Sequence, residues 1–150
     1  MKLKFEIDID ANIDTVWKAF DDAEGLRRWQ AGLRSRRQLS GTPGQPGAIA
    51  ELEYGENGRA VTLTETVTEN RAPDFRAAIY ESPRGSTIVV SHFRSLDDRT
   101  TRWTSWANFR FRGVMKLMSI FTAGAIRRRT EDDMHRFKMM VETDTSGSAG

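Results

Sequence analysis

The stretch "TRWTSWANFRFRGVMKLMSIFTAGAIRRR", residues 101–129, changes its period at Gly113. Before the glycine, Trp103, Ser105, Ala107 and Phe109 alternate with their neighbours, which places them on one face of a strand. After it, Met115 to Val141 contains no proline, and its one glycine is Gly124. Leu117, Ile120, Phe121, Ala125, Met134, Phe137 and Val141 fall mostly at helical intervals. This predicts a helix of up to about 29 residues, about 43 Å long at 1.5 Å per residue. A helix of that length needs a wide sheet to lie across.

The sheet is legible upstream. "KLKFEIDID" alternates strictly, with Leu3, Phe5, Ile7 and Ile9 on one face and Lys2, Lys4, Glu6, Asp8 and Asp10 on the other. Asn12 is a good helix N-cap, Asp14 suits the first turn, and Ile13, Val16, Trp17 and Phe20 have helical spacing. A second short helix is predicted over 22–29. Alternation then returns for some eighty residues. Ala50, Leu52 and Tyr54 share one strand face. Val61, Leu63, Glu65 and Val67 share another, backed by Thr62, Thr64, Thr66 and Thr68. Phe75, Ala77 and Ile79 follow, and two long strands run over 87–96 and 100–111. The order is β, α, α, about six antiparallel strands, then one long helix. That reads as an α+β domain with the helix against one sheet face. It spans 1–143, with a disordered tail at 144–150.

Composition narrows the function. The chain has 150 residues, no cysteine, a net charge of +2, 4 Trp, 8 Phe and 6 Met, which suits one domain with a proper core. Disulfides and thiolate chemistry are excluded, and a cytoplasmic location is expected. The opening residues show no signal-peptide pattern, and no apolar run reaches the ~18 residues of a membrane span. No stable membrane insertion is expected. Nucleic-acid binding is not expected either, because the arginines (Arg27, Arg28, Arg34, Arg36, Arg37 and Arg127 to Arg129) lack interleaved stacking aromatics. They read as solvated surface. His92 and His135 are far apart with no carboxylate at ligand spacing, so no metal and no cofactor are predicted. His92 reads as outward-facing, and His135 as a boundary residue.

The loop "GTPGQPGA", residues 41–48, lacks the lysine and hydroxyl of a phosphate-binding P-loop. Strand pattern on both sides excludes a linker. A connection between the second and third strands remains, as a plain irregular hairpin or a lid.

Together with that loop, "IDTVWKAFDDAEGLRRW" (13–29), "LTETVTE" (63–69), "TRWTSWANFRFRG" (101–113) and "DMHRFKMMVE" (133–142) resemble the START-like (Bet v 1-like, SRPBCC) superfamily, and within it the polyketide cyclase/dehydrase and lipid-transport branch. The resemblance implies a helix-grip fold: a curved seven-stranded antiparallel sheet around a long C-terminal helix, two short helices after the first strand, and a hydrophobic cavity between sheet and helix. It implies no single activity. The expected function is binding a small hydrophobic or amphipathic molecule such as a lipid, polyketide or aromatic metabolite. Two alternatives stand beside it: a polyketide cyclase or dehydratase using the same cavity, and an interaction module with a closed pocket.

The predicted cavity wall draws on Leu52, Tyr54, Leu63, Glu65, Val67 and Ile79 from the middle strands. Phe93, Trp103, Ser105 and Phe109 add to it from the last strands, and Leu117 and Phe121 from the helix. Gly41, Gly44 and Gly47 are placed in the loop at the cavity's end. Glu65 is the candidate catalytic residue, since a carboxylate among apolar side chains is an acid/base group unless an arginine pairs with it. Glu65, Ser105 and Tyr54 are the expected polar anchors.

Overall fold

The computed structural model describes residues 1–56 and 58–149, without the side chains of 56, 115, 117–121 and 146–149. The chain runs β1 (Lys2–Ile9), α1 (Ile13–Asp21), α2 (Leu26–Trp29), β2 (Leu33–Ser40), β3 (Ile49–Glu56), β4 (Arg59–Arg71), β5 (Phe75–Ser82), β6 (Gly85–Asp97), β7 (Thr100–Phe111) and α3 (Val114–Ala149). The strands form one sheet in the order β1-β7-β6-β5-β4-β3-β2. Every neighbouring pair is antiparallel. This is the helix-grip fold, with α3 packed on the concave face.

Local chemistry accounts for the elements. Asn12 Oδ1 accepts from the Thr15 backbone N–H at 2.9 Å and caps α1, which buries Val16 and Trp17. The two short helices then bring Trp17, Phe20 and Trp29 over the sheet. There they meet Phe93 of β6, Trp103 of β7 and Phe137 of α3. Trp103 lies 5.7 Å from Phe20, 5.8 Å from Trp29, 5.5 Å from Phe93 and 5.1 Å from Phe137, ring centre to ring centre. Edge-to-face and stacked pairs at these distances are favourable beyond their burial. Its indole N–H also donates to Ser91 Oγ at 3.2 Å. This end of the space under α3 is therefore packed solid.

The helix is longer than its sequence suggests. At 36 residues it extends to Ala149 through the tail expected to be disordered from 144. Side-chain bonds hold it as far as Thr145. Thr145 Oγ1 donates back to the Val141 carbonyl at 2.7 Å, and Arg28 of α2 donates to Asp144 at 3.1 Å. Among the described residues no helix is long and apolar enough to cross a membrane, and no group of three acidic, histidine or cysteine side chains could hold a metal ion.

Candidate functional site

A cavity of about 90 Å³ opens between the two short helices and strands β2 to β5. That volume is about the share of three liquid water molecules, and below the roughly 300–1,000 Å³ that encloses a drug-sized ligand. Its apolar wall includes Phe20, Leu26, Trp29, Leu52 and Val67. Its polar wall is built by the middle strands. Tyr80 Oη donates to Glu65 Oε2 at 2.7 Å, and the Arg36 guanidinium lies 4.0 Å from Glu65 Oε1 while donating to Gln38 Oε1 at 2.7 Å. Tyr54 Oη donates to Gln30 Oε1 at 2.7 Å. Trp29 Nε1 is buried with no hydrogen-bond partner among the described residues.

The mouth is a second polar cluster. Arg76 donates to Asp21 of α1 and, at 3.0 Å, to Asn70 Oδ1. Its guanidinium lies 5.2 Å from the ring centres of both Trp17 and Phe20, a double cation–π contact. The glycine-rich loop closes onto this pair. Its backbone is pinned by Gly47 N–H donating to the Val67 carbonyl at 2.8 Å and Val67 N–H donating to the Ala48 carbonyl at 3.0 Å. Gly44, at φ +80°, presses so close that a Cβ there would stand 2.6 Å from Arg76 Nη2 and 2.8 Å from Asp21 Oδ1. Gly41 and Gly47 also take positive φ, turning the loop at either side.

The structure sorts the expected wall residues. Leu52, Tyr54, Glu65, Val67 and Gly44 line the cavity. Leu63 shares their sheet face opposite Leu52 but stands outside the lining. Phe93 and Trp103 are sealed in the aromatic core instead, since the short helices supply partners that strand alternation cannot show. Ser105 is buried between Phe5 and Ser91, and Phe109 stacks on Phe111 at 5.8 Å; neither reaches the cavity. The side chains of Leu117 and Phe121 lie outside what the structure describes. Ile79 faces the convex side. It pairs with Thr66, whereas Glu65 pairs with Tyr80, so Arg76, Ala78 and Tyr80 carry the concave face of β5. Adjacent Ala77 and Ala78 are both buried, which erases the alternation that would have shown this.

Arg36 is a correction of a different kind. It is not solvated surface: its side chain is only 15% exposed, in the cavity wall. A register shift between Leu33 and Ser35 reverses the faces of the residues that follow it, turning Arg36 inward opposite Leu52; a second shift lies between Gln38 and Ser40, beside the exposed Leu39. Tyr80, Gln30 and Arg76 were also missed. The strand signal for Tyr80 was present, with the parity misread.

Both tyrosines of the chain sit here, and their phenols share a fate. Burial, then the negative charge of Glu65, pushes Tyr80 well above its ordinary value. Burial first, then Glu65 and Asp133, raises Tyr54 in the same direction. Asp133, on α3, is itself raised by burial despite its bond from Arg136 at 2.5 Å. A phenol whose folded pKa exceeds its unfolded value of about 10 contributes stability that is complete below that pH and lost as pH rises through the folded value. Native protein is therefore expected to show no tyrosinate absorbance at about pH 10–11, where the denaturant-unfolded chain passes from about half to about nine-tenths of its full signal. A native phenol titrating near its ordinary value would contradict the burial described.

Solved structures share this architecture. The Zhui aromatase/cyclase from Streptomyces sp. R1128 matches with a TM-score of 0.86 at 14% identity, covering 100% of this chain and 98% of that one. A Thermus thermophilus protein matches at 0.80 and 12%, covering 96% and 99%. Ara h 8.0201 matches at 0.77 and 11%, covering 95% and 98%. At these identities the likeness is one of fold. No curated protein matches the chain. The family model described as polyketide cyclase / dehydrase and lipid transport matches residues 1–142. Sheet, gripping helix and cavity thus agree with a match over nearly the whole sequence, and the chain belongs to the polyketide cyclase/dehydrase and lipid transport family.

Proposed function

We propose that the protein binds a small amphipathic molecule whose polar head enters the cavity beside Glu65, Tyr80 and Arg36. The observation that carries this reading is the Tyr80–Glu65 hydrogen bond set in a wall that also contains Leu52 and Val67. Ligand sites join an apolar wall to convergent polar groups, and this one does so with a large charged share, including Asp21, Arg36, Glu65 and Arg76. Arg36 has donors beyond its bond to Gln38, and Trp29 Nε1 has no partner among the described residues, so a head group bearing hydrogen-bond acceptors complements the wall. The volume suits a head group alone, so the apolar body would lie beyond it. A chain without cysteine suits a reducing compartment, and the cytoplasm is the proposed location.

A second reading uses the same pair for chemistry. Arg36 pairs with Glu65 at 4.0 Å, which favours a structural carboxylate; the hydrogen bond from the Tyr80 phenol at 2.7 Å is the observation on the other side, since it places the carboxylate to move a proton as a cyclase or dehydratase requires. Glu65→Gln separates the two. Native mass spectrometry and solvent extraction of the protein from its source first identify the bound species. Binding of that species to Glu65→Gln is then expected to weaken about 10–100-fold, the worth of a buried charge-assisted hydrogen bond. Affinity held within a few-fold while turnover disappears would favour the enzyme. A source protein that carries no small molecule, and that takes up neither fluorescent fatty acid nor aromatic probe, would overturn both.

A further inference from the structure

The sheet has two edges, β1 and β2, and they differ. β2 has register shifts near both ends and carries Arg34, Arg36 and Arg37. Irregularity and charge, lysine especially, are devices that blunt an edge against pairing. β1 has no irregularity, and its charges are of both signs: Lys2 and Lys4, then Glu6 and Asp8. It pairs with β7 without a register shift over Lys2–Ile9. Phe109 N–H donates to the Met1 carbonyl at 2.7 Å, so the odd-numbered residues of β1 turn their backbone groups to β7 and the even-numbered ones turn theirs outward. Two bonds to α3 agree with that parity. Lys138 Nζ donates to the Asp8 carbonyl at 2.8 Å, and Asp10 N–H donates to the Glu142 carboxylate at 3.3 Å. The helix caps that end of the edge. Further along, a groove of about 230 Å³ separates residues 4–7 from Glu131, Met134 and His135.

We propose that β1 is a self-docking edge, pairing antiparallel with β1 of a second copy about a two-fold axis at Phe5. The sequence KLKFEID is complementary to itself in that register. Lys4 faces the partner's Glu6, Leu3 the partner's Ile7, and Phe5 meets its own copy; Lys2 comes opposite the partner's Asp8, where the Lys138 bond to the Asp8 carbonyl ends the free backbone. The backbone agrees independently. Even residues meet even ones, so the outward groups of Lys4 and of the partner's Glu6 form a hydrogen-bonded pair, and Phe5 takes the non-hydrogen-bonded position on the axis. Moving the axis to Lys4 or to Glu6 keeps the backbone parity, and opposite charges still meet elsewhere along the pair, but a like-charge pair then lies on the axis, which is unfavourable. Of these three registers only the axis at Phe5 sets no like charges face to face. Within one copy, Arg102 holds Asp8 at 2.8 Å and reaches Glu6 at 3.7 Å, so the contact between Lys4 and the partner's Glu6 carries most of the selection. The result is an isologous dimer with one sheet running through both copies.

Analytical ultracentrifugation of the full chain from low to high micromolar concentration tests this. A monomer–dimer equilibrium is expected. K4E and E6K singly are expected to weaken it by about tenfold or more, since each places like charges opposite one another twice across the axis. The K4E/E6K double exchange restores opposite charges and is expected to return dimerisation to within about threefold of the original. Hydrogen exchange on the unsubstituted protein supplies a second measurement that no folding defect can confuse. The Lys4 and Glu6 amides should exchange more slowly as the dimer fraction rises. A chain that stays monomeric, a dimer indifferent to E6K, a double exchange that fails to restore pairing in a folded protein, or Lys4 and Glu6 amides unchanged by concentration would each overturn the proposal.

Discussion

Trp103→Ala is expected to lower unfolding free energy by about 3–5 kcal/mol, the usual cost of truncating a buried large aromatic. For a domain of this size that is a fall in Tm of about 10 °C. The indole is 3% exposed and touches rings from α1, α2, β6 and α3 at once. Removing it leaves a void that four separate elements would have to close together. It also strips Ser91 Oγ of its indole donor in a buried setting. Chemical denaturation followed by circular dichroism measures the loss. A change below about 1 kcal/mol would mean that the site collapses freely and that the aromatic cluster does not fix the position of α3.

Gly85→Ala is expected to be as damaging, although it adds a single methyl. Gly85 opens β6 at φ +147°, opposite Ser82 on one side and Phe111 on the other. A Cβ there would stand 2.1 Å from the Arg110 carbonyl oxygen and 3.0 Å from the Phe111 Cα. Both are backbone atoms, so relief requires β6 and β7 to separate or the turn to rebuild. A cost of about 3 kcal/mol or more follows, within the range of backbone strain plus overpacking. Gly58→Ala is the control. It shares a positive φ of +77°, yet nothing lies within 4 Å of the added atom. That variant should lose only the dihedral penalty of about 1–2 kcal/mol. Equal losses in the two variants, read by thermal unfolding, would show that the close approach of Arg110 is not what matters at Gly85.

The cavity is bounded by features of unequal visibility in the sequence. Glu65 was legible because Val61, Leu63 and Val67 mark its face and threonines mark the other. Arg36 was not, because its inward face depends on a register shift just before it in the strand, and no side chain in "LRSRRQLS" announces one. Tyr80 was hidden by two consecutive alanines that fit either face. The glycine-rich loop was placed correctly between strands, but its contact with the Arg76–Asp21 pair joins residues 21, 44 and 76 and has no local signature.

By itself the sequence determined the element order, the change of period at Gly113, the inward face of β4 and the exclusion of P-loop and thiol chemistry. Each of these depends on neighbours within a turn or two, where the periods of helix and strand leave a direct mark. Tertiary structure alone decided how the space under α3 is divided. One end is filled by rings converging from five elements, and the other keeps a cavity whose polar wall comes from β2 to β5. That division depends on register and on which distant side chains meet. A shift of one residue exchanges the two faces of a strand while leaving its composition unchanged.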